Sequence, residues 1–307
     1  MKHYIAVDVG GTSIKYALMD EDANLLEQGE IPTSKTGLDD FVDQIVWIAN
    51  QWKTKPVEAL VMSAPGRIDE KSGYFYTGGA LDYLHETDVQ SLLEERLHIP
   101  VSVENDAKAA ALAELWKGVL RNRNSGLVIT LGTGIGGAVV IDGNVWHGFT
   151  HAAGELSGIP VHWNTRVTST MPTWTTQNCV RALLERYAVR KGLPADTMNG
   201  RLFFEALELG DQEAEEELQW FCETLATGLF ALQYVLDVEI VAVGGGISRQ
   251  PAMIAALRNA LESVYARMPV YCPASMPQVE ACAFSNDANL IGALYHYKTR
   301  QKQQEEL

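Results

Sequence analysis

The chain of 307 residues is longer than a single hydrophobic core usually serves, so we expect two domains. Its net charge of −15 argues against nucleic-acid binding as the main activity, because phosphate contacts need clustered lysine and arginine. No apolar run reaches the ~18 residues of a membrane-spanning helix, and the N-terminus enters a predicted strand at once, which leaves no room for a signal peptide. The cysteines are widely spaced without a Cys-x-x-Cys pair, which favours buried, reduced thiols in a cytoplasmic protein.

The first predicted elements form a glycine-containing hairpin. Apolar strands at residues 4–7 and 14–19 flank the turn Gly10-Gly11-Thr12, and an acidic turn follows. Glycine tolerates positive φ, and successive backbone amides in such a turn form a concavity that binds anions. The pattern therefore indicates a phosphate-binding turn.

Two further strands are predicted before the middle of the chain. Residues 59–63 form a buried strand that ends in a sharp loop, and residues 67–88 are mostly loop. The strand at residues 101–103 leads into Glu104-Asn105-Asp106 and a helix, so Asn105 or Asp106 lies at or near the helix N-cap. A plain cap is one interpretation, and a carboxylate at the C-terminal end of a strand, where α/β proteins place their sites, is the other. Both hold together if Asn105 caps the helix and Asp106 faces a cleft.

A second glycine hairpin begins near residue 127. The letters Gly132-x-Gly134-x-x-Gly137 fit the dinucleotide fingerprint, but that fingerprint must open a helix, and the turn Asp142-Gly143 makes a helix here improbable. A glycine-rich hairpin without a ligand is the remaining alternative. Since this hairpin repeats the order of elements at the N-terminus, a duplicated domain closing on one phosphate chain is favoured.

Helices dominate the rest of the chain. Residues 161–174 lack periodicity and indicate a long loop, and helices are predicted at 175–191, 201–209 and 212–236. A buried strand at 240–243 runs into Gly244-Gly245-Gly246, which either packs on the adenosine end of a nucleotide or forms a tight turn without a ligand. A closing helix is predicted at 288–298, followed by a solvated tail.

These pieces resemble the ROK family of sugar kinases. The resemblance is carried, in family order and over essentially the whole chain, by Asp8-Val9-Gly10-Gly11-Thr12-Ser13-Ile14-Lys15, Glu104-Asn105-Asp106, Leu131-Gly132-Thr133-Gly134-Ile135-Gly136-Gly137, Ala153-Gly154-Glu155 and Gly244-Gly245-Gly246-Ile247. It implies two duplicated actin/hexokinase-like (ribonuclease H-like) α/β domains with a cleft between them. On this basis we predict a smaller domain at 1–117 plus 288–307 and a larger one at 118–287. It also implies phosphoryl transfer from ATP to a sugar hydroxyl, usually on C6, and a homodimer. The family's repressors carry a DNA-binding domain ahead of the first hairpin, whereas this chain starts at the hairpin.

The resemblance also implies a role for individual residues. Asp106 would be the base that takes the proton from the attacking hydroxyl, while Asn105 and Glu155, with Gly66 and Gly79, would bind the sugar. Phosphate binding and magnesium orientation through water would fall to Asp8 and the glycine turns. The residues assigned to ATP and phosphate are Asp8, Gly10, Gly11, Thr12, Lys15, Gly132, Thr133, Gly134, Gly244, Gly245 and Gly246. Lys15 has the equally plausible alternative of a solvated lysine.

The sequence departs from the family pattern after Glu155. Many members have a histidine three residues later and then a cysteine cluster that binds structural zinc, but Gly158 stands here and residues 161–174 contain no cysteine. We therefore predict no zinc. A zinc-less subset resembles β-glucoside kinases, and Gly78-Gly79-Ala80 is similar to their sugar loop.

The leading hypothesis is a cytoplasmic ATP- and magnesium-dependent kinase that phosphorylates the 6-hydroxyl of the non-reducing glucose of a β-glucoside such as cellobiose. Glycine at position 158 leaves space beside the C1 hydroxyl, and aromatic residues of the neighbouring loops could pack on an aglycone. The alternative is that a neighbouring loop fills this gap. A kinase for free glucose, fructose or N-acetylmannosamine is the first alternative. A sugar sensor without catalysis is the second, and the presence of Asp106 counts against it.

Overall fold

The computed structural model describes residues 2–161, 172–268 and 272–305 and has an α/β architecture. Within these residues the strands are β1 (His3–Val9), β2 (Ser13–Asp20), β3 (Leu25–Pro32), β4 (Val57–Ala64), β5 (Arg67–Asp69), β6 (Tyr74–Thr77), β7 (Thr87–Asp88), β8 (Val101–Asn105), β9 (Gly126–Leu131), β10 (Ile135–Ile141), β11 (Asn144–Trp146), β12 (Ile240–Gly244) and β13 (Gln278–Ala281). The α-helices are α1 (Leu38–Asn50), α2 (Val89–Leu97), α3 (Asp106–Lys117), α4 (Trp174–Asn178), α5 (Val180–Arg190), α6 (Gly200–Glu208), α7 (Gln212–Leu236), α8 (Pro251–Ala266) and α9 (Ala288–Glu305).

The chain divides into two compact units. The first comprises Met1–Arg121, His147–Ala153 and Asn286–Leu307, and the second comprises Asn122–Trp146 and Gly154–Ser285. The domains predicted from the sequence have boundaries at 117/118 and 287/288, and that prediction keeps residues 147–153 in the second domain.

Each unit contains a five-stranded sheet with the same pattern of strands. The order is β3-β2-β1-β4-β8 in the first unit and β11-β10-β9-β12-β13 in the second. In both sheets an antiparallel meander of three strands is extended by two strands parallel to its first one. The predicted glycine hairpins are therefore β1–β2 and β9–β10, and they occupy equivalent places in a duplicated architecture.

The cores follow from the apolar spacing of the sequence. In the first unit Phe41, Ile45 and Ile48 of α1 lie at helical spacing and are fully buried in one cluster with Ile5 and Val7 of β1. In the second unit Phe221, Leu225 and Leu229 of α7 are buried with Val241 and Val243 of β12. Cys179 and Cys222 are buried as expected, whereas Cys272 and Cys282 are partly exposed.

Three local predictions were wrong. Residues 67–88 include β5, β6 and β7, which form a small antiparallel sheet whose strands are too short to leave a periodic signal. The helix predicted at 175–191 is two helices, because Cys179 has extended backbone angles and caps α5. The expected solvated tail continues α9 to Glu305, and the polar character of these residues reflects their exposure.

Within the described residues, no helix combines the length and apolar character needed to cross a membrane.

Candidate active site

Asp8 lies at the C-terminal end of β1, the central strand of the first unit's sheet. Its Oδ1 accepts hydrogen bonds from Ser63 Oγ of β4 at 2.8 Å and from Asn289 Nδ2 of α9 at 2.9 Å. Burial raises the pKa of the carboxyl group, against the two hydrogen bonds and the charge of Lys15, which lower it. Lys15 is the cross-strand partner of Asp8 in β2. The carboxylate is thus held in a fixed orientation in a place where a cation would stabilise its charge.

Asn105 and Asp106 lie where β8 passes directly into α3. Asn105 is the N-cap: its Oδ1 accepts a hydrogen bond from the backbone N–H of Lys108 at 3.1 Å, and its Nδ2 donates to the Gly66 carbonyl at 2.9 Å. Asp106 is the first helical residue, and its Oδ1 accepts from the backbone N–H of Ala107 at 2.7 Å. The cap therefore belongs to Asn105, while Asp106 is a partly buried carboxylate at a helix N-terminus, where the helix dipole favours its ionised form.

Two glycine loops meet beside Asn105. Gly66 has φ +112°, and a Cβ atom there would lie 2.1 Å from the Thr77 carbonyl oxygen. Gly79 has φ +59°, and its Cβ would lie 2.9 Å from the Gly66 nitrogen. Because the two backbones approach this closely, neither position accepts a side chain. The residues assigned to sugar binding in the first unit are thus brought together at the C-terminal edge of its parallel strands.

The turn Gly10–Thr12 is closed by its own backbone. Gly10 N–H donates to the Ser13 carbonyl at 2.9 Å, and the Thr33 hydroxyl donates to the Gly10 carbonyl at 2.6 Å. A Cβ on Gly11 would lie 3.1 Å from the Ala80 Cβ, next to the Gly79 loop. The Thr12 side chain is exposed. The phosphate-binding turn assigned from the sequence therefore lies beside the loop assigned to the sugar.

A fully buried carboxylate directly precedes this site. Glu104 Oε1 accepts from the backbone N–H of Asn105 at 2.7 Å, and its Oε2 lies 2.8 Å from His147 Nε2 and 3.8 Å from His296 Nε2. Burial raises the pKa of Glu104, but the hydrogen bond from His147, the two histidines and the Asn105 N–H together lower it below its usual value. Burial lowers the pKa of His147, yet the bond to Glu104 and the charges of Glu104 and Glu70 outweigh this and raise it. Both pKa shifts thus favour the ionised form of the Glu104–His147 pair.

A second acid–histidine pair extends this network. His151 Nδ1 lies 2.9 Å from Glu70 Oε2, and the His151 carbonyl accepts from Lys108 Nζ at 3.2 Å. The His151 ring stacks on Tyr76 with 5.6 Å between the centroids. The side chain of Lys108 is almost fully buried.

In the second unit, two glycine turns follow the neighbouring parallel strands β9 and β12. Gly132 and Gly134 close the first turn with an N–H to carbonyl bond of 3.0 Å, and the turn is held by α5, whose Val180 N–H donates to the Gly132 carbonyl. Gly245 has φ +88°, and a Cβ there would lie 2.0 Å from the Leu131 carbonyl oxygen. Gly246, by contrast, has no neighbour within 4 Å of a built Cβ. The turn after β12 thus packs on the end of β9 at Gly245 and is open at Gly246.

A cavity of about 990 Å³ adjoins both turns. It is bounded by Gly132 and Thr133, by Gly246 and Ile247, and by apolar residues of α5 and α6 such as Phe204. Ligand sites of ~300–1,000 Å³ with a mostly apolar lining suit planar organic groups. The cavity, whose lining also includes charged residues of α5 and α6 such as Arg181 and Glu205, thus lies directly beside the two glycine turns.

Glu155 immediately precedes a single helical turn at residues 156–158, and Gly158 is the last residue of that turn. Glu155 is exposed. A Cβ built on Gly158 has no described atom within 4 Å. Among the described residues, nothing thus occupies the position where many relatives of the predicted family carry a histidine.

Comparison with known proteins identifies the group to which this chain belongs. A family model described as ROK family matches residues 4–300. The chain is a member of the ROK family. It is 33% identical over 298 residues to a beta-glucoside kinase of Klebsiella pneumoniae, with 95% of each chain covered.

Two solved structures of ROK proteins resemble the whole chain. One is a ROK family protein from Streptococcus pneumoniae TIGR4 in complex with sucrose, with a TM-score of 0.86, 27% identity and coverage of 98% of this chain and 99% of that one. The other is a ROK family glucokinase from Streptomyces griseus in complex with glucose and AMPPNP, with a TM-score of 0.81, 26% identity and coverage of 95% and 98%. The resemblance to ROK sugar kinases and the α/β actin/hexokinase-like fold predicted from the sequence are confirmed.

The ROK-family prediction of no zinc stays a prediction. It concerned residues 161–174, of which 162–171 lie outside the described residues, as does His162. Within the described ranges, the group of potential metal ligands with its ligand atoms within 4.8 Å of one another is Asp69, Glu70 and His151. His151 is hydrogen-bonded to Glu70, and Asp69 Oδ1 accepts from the Lys71 N–H at 2.9 Å, so these groups are satisfied without an ion.

Sequence reasoning missed the residues that support the ROK motifs. Ser63 and Asn289, which orient Asp8, and His147, which pairs with Glu104 and faces Glu70, carried no recognisable spacing. Glu104 was part of a recognised motif but received no role. A hint was available in His147 and His151, because two histidines within five residues of each other and just before the Ala153-Gly154-Glu155 motif are an unusual local composition.

Proposed function

We propose that this ROK-family carbohydrate kinase transfers the γ-phosphate of ATP to the 6-hydroxyl of the non-reducing glucose of a β-glucoside such as cellobiose. The observation that carries the proposal is the junction of β8 and α3, where Asp106 stands at a helix N-terminus and Asn105 is joined to the Gly66 loop. The choice of a β-glucoside is supported by the beta-glucoside kinase relative and by Gly158, where no atom of the described residues lies within 4 Å of a built Cβ.

On the acceptor side, Asp106 accepts the proton of the attacking 6-hydroxyl as the oxygen bonds to phosphorus. The helix dipole keeps the carboxylate ionised, and its place in the first turn of α3 fixes its position. Asn105 and the backbones of Gly66 and Gly79 bind neighbouring hydroxyls of the glucose ring. Glu155, which is exposed, accepts hydrogen bonds from the hydroxyls near C1 and C2.

On the donor side, the backbone N–H groups of the glycine turns bind phosphate oxygens, since phosphoryl transfer depends mainly on positioning and charge neutralisation. The partly buried carboxylate of Asp8, oriented by Ser63 and Asn289, fits a role in holding magnesium through water, and Lys15 adds positive charge beside it. Magnesium, when bound, neutralises charge on the phosphates. The cavity next to Gly246 and Ile247 takes the adenosine end of ATP.

The test of this proposal is ADP release measured with a panel of sugars. We expect cellobiose and aryl β-glucosides to give higher kcat/KM than glucose, fructose or N-acetylmannosamine, and NMR of the product to show phosphate on C6 of the non-reducing ring. A preference for a free monosaccharide would support the first alternative instead. Binding of a sugar without ADP release from any of them would favour a non-catalytic sensor.

A substitution at Gly158 tests the substrate assignment separately. Gly158→His fills the space beside C1, so kcat/KM should fall far more for cellobiose than for glucose. Ser157→His is the matched control, because it places the same side chain one position earlier on the same turn. Equal losses for both sugars would contradict the assignment of this space to an aglycone.

A homodimer, a cytoplasmic location and the requirement for magnesium are part of the proposal. Size-exclusion chromatography with light scattering measures the oligomeric state, and ADP release with and without EDTA measures the metal requirement.

A further inference from the structure

Residues 147–153 form a segment that belongs to one unit although both of its flanks belong to the other. Trp146 and Gly154 lie in the second unit, while His147–Ala153 lies in the first. The segment closes on itself through a hydrogen bond from the Ala153 N–H to the His147 carbonyl at 3.1 Å. Glu155, assigned to the sugar, follows two residues after its end. We call residues 147–153 the crossover segment.

The crossover segment is attached to the first unit by three polar contacts. His147 Nε2 pairs with Glu104 at 2.8 Å, His151 Nδ1 pairs with Glu70 at 2.9 Å, and the His151 carbonyl accepts from Lys108 Nζ at 3.2 Å. Glu104 precedes Asn105, and Lys108 lies in the first turn of α3. Two of the three attachments therefore end within two residues of Asn105 or Asp106.

His147 is the residue that balances the buried charge of Glu104. The other histidine near Glu104, His296, lies 3.8 Å away, beyond hydrogen-bonding distance, and its Nδ1 is 3.1 Å from Ser102 Oγ. Burial lowers the pKa of His296, although the charge of Glu104 raises it. His147 offers one ring nitrogen to Glu104 and the other towards Glu70, 4.0 Å away, as expected for an imidazolium between two carboxylates.

Glu104 connects His147 to Asn105, which is assigned to sugar binding. Its second carboxylate oxygen accepts the backbone N–H of Asn105 at 2.7 Å, so one buried side chain joins His147 to the residue that caps α3 and contacts Gly66. A buried ion pair contributes little net stability but specifies geometry, and removal of one partner leaves an uncompensated charge.

We infer that His147 is a positioning residue for the sugar site, which through Glu104 fixes Asn105 and holds the crossover segment that leads to Glu155. This inference rests on the proposed function, since it assigns Asn105 and Glu155 to the sugar. A residue that only neutralised Glu104 would affect the stability of the protein. A positioning residue also affects sugar binding when the protein is fully folded.

The experiment compares His147→Ala, the double variant Glu104→Gln/His147→Ala and the control His85→Gln, which changes an exposed histidine. Kinetics are measured with cellobiose and ATP at a temperature where near-UV circular dichroism shows each variant folded. We expect the KM for cellobiose to rise about tenfold or more in His147→Ala, with the KM for ATP within about twofold of the wild type, because a misplaced binding group costs roughly 10–100-fold.

The double variant distinguishes a positioning role of His147 from a role that is limited to neutralising Glu104. Glu104→Gln removes the unpaired buried charge, so it should restore much of the Tm lost in His147→Ala but leave the KM for cellobiose high. Recovery of both Tm and KM together would overturn the inference, and so would an unchanged KM in His147→Ala. If His147→Ala is insoluble, His147→Gln replaces it, with an expected rise in KM of about threefold because the amide keeps a neutral hydrogen bond.

Hydrogen exchange gives a readout that does not need catalysis. Exchange of the crossover segment and of the start of α3 should be faster in the His147 variants, with no change in α7 or α8. If the wild-type protein phosphorylated no sugar, the proposed function would fail, and this measurement would still decide whether His147 holds the segment.

Discussion

At the scale of single residues, the structure separates two neighbouring side chains that the sequence treats alike. Asn105 and Asp106 both favour helix starts, but Asn105 has extended backbone angles and accepts from the Lys108 N–H as the N-cap, whereas Asp106 is the first helical residue and accepts from the Ala107 N–H. The cap requirement is met by Asn105, and Asp106 follows it as the first residue of α3.

A substitution of Asp106 follows from this division. Asp106→Asn keeps the size of the side chain and an oxygen for the Ala107 N–H but removes the base, so kcat should fall roughly 10²–10⁴-fold with little change in Tm or in the KM for the sugar. Asp39→Asn, in the first turn of α1, is the control and should keep full activity. Retention of most of the activity by Asp106→Asn would show that it is not the base.

The Glu104–His147 pair gives stability a defined dependence on pH. The pKa of Glu104 is lowered from its ordinary 4.5, so its contribution is present above that value and is lost as the pH falls through the lowered pKa. The pKa of His147 is raised from 6.5, so its contribution is full below pH 6.5 and is lost as the pH rises through the raised pKa.

We therefore expect the free energy of unfolding of the wild type to exceed that of His147→Gln most between these two ordinary pKa values and to approach it at alkaline pH. Urea unfolding of both proteins between about pH 5 and pH 9 measures this difference. The lowered pKa of His296 acts in the opposite direction, and the charge of His147 is one of the causes of that lowering. A difference that grew with rising pH would show that His147 is neutral in the folded protein.

At the scale of elements, the site depends on how closely α9 approaches α3. A Cβ atom on Gly292 of α9 would lie 1.7 Å from the Ala109 carbonyl oxygen of α3. The same two helices carry Asn289, which contacts Asp8, and Asp106. The absence of a side chain at Gly292 thus permits the close backbone contact that fixes the positions of α3 and α9 relative to each other.

Gly292→Ala should consequently destabilise the protein by about 1–3 kcal/mol, although alanine is the better helix former, because overpacking forces α3 and α9 apart. Gly200→Ala, at the start of α6 where a Cβ meets nothing within 4 Å, is the control and should change stability by less than about 0.5 kcal/mol. Chemical denaturation measures the free energy of unfolding of both variants. Similar effects of the two substitutions would contradict the close approach.

At the scale of the whole molecule, the first unit is assembled from three separate stretches of chain. The last of these, Asn286–Leu307, contributes α9, whose Leu290, Ile291 and Leu294 are buried in the first unit. The same helix supplies Asn289 and His296 to the site. Folding of the first unit therefore requires the last part of the chain.

Removal of residues 286–307 should abolish soluble expression. The three large apolar side chains alone contribute roughly 5–9 kcal/mol by burial, comparable to the ~5–15 kcal/mol that stabilises a typical protein. Removal of residues 303–307 only, where the described side chains are exposed, should leave Tm and activity near the wild-type values. Circular dichroism and ADP release distinguish the two. A folded, active protein lacking α9 would contradict the assembly described above.

The sequence by itself determined the features that depend on local chemistry. The strands flanking Gly10–Thr12 and Gly132–Gly134, a helix start at Asn105 or Asp106 and the long α7 all follow from apolar spacing, turn residues and capping preferences within a few positions. The duplication of the sheet was also readable, because each copy repeats the same order of local signals. Membership of the ROK family followed from these motifs.

Only the tertiary structure decided which distant side chains support the motifs. Asn289 reaches Asp8 across 281 positions, and His147 reaches Glu104 across 43. The placement of the crossover segment and the continuation of α9 through polar residues depend likewise on contacts with other elements. Such contacts leave no period or spacing in the chain, because their free energy is gained only after folding has brought the partners together and excluded water from them.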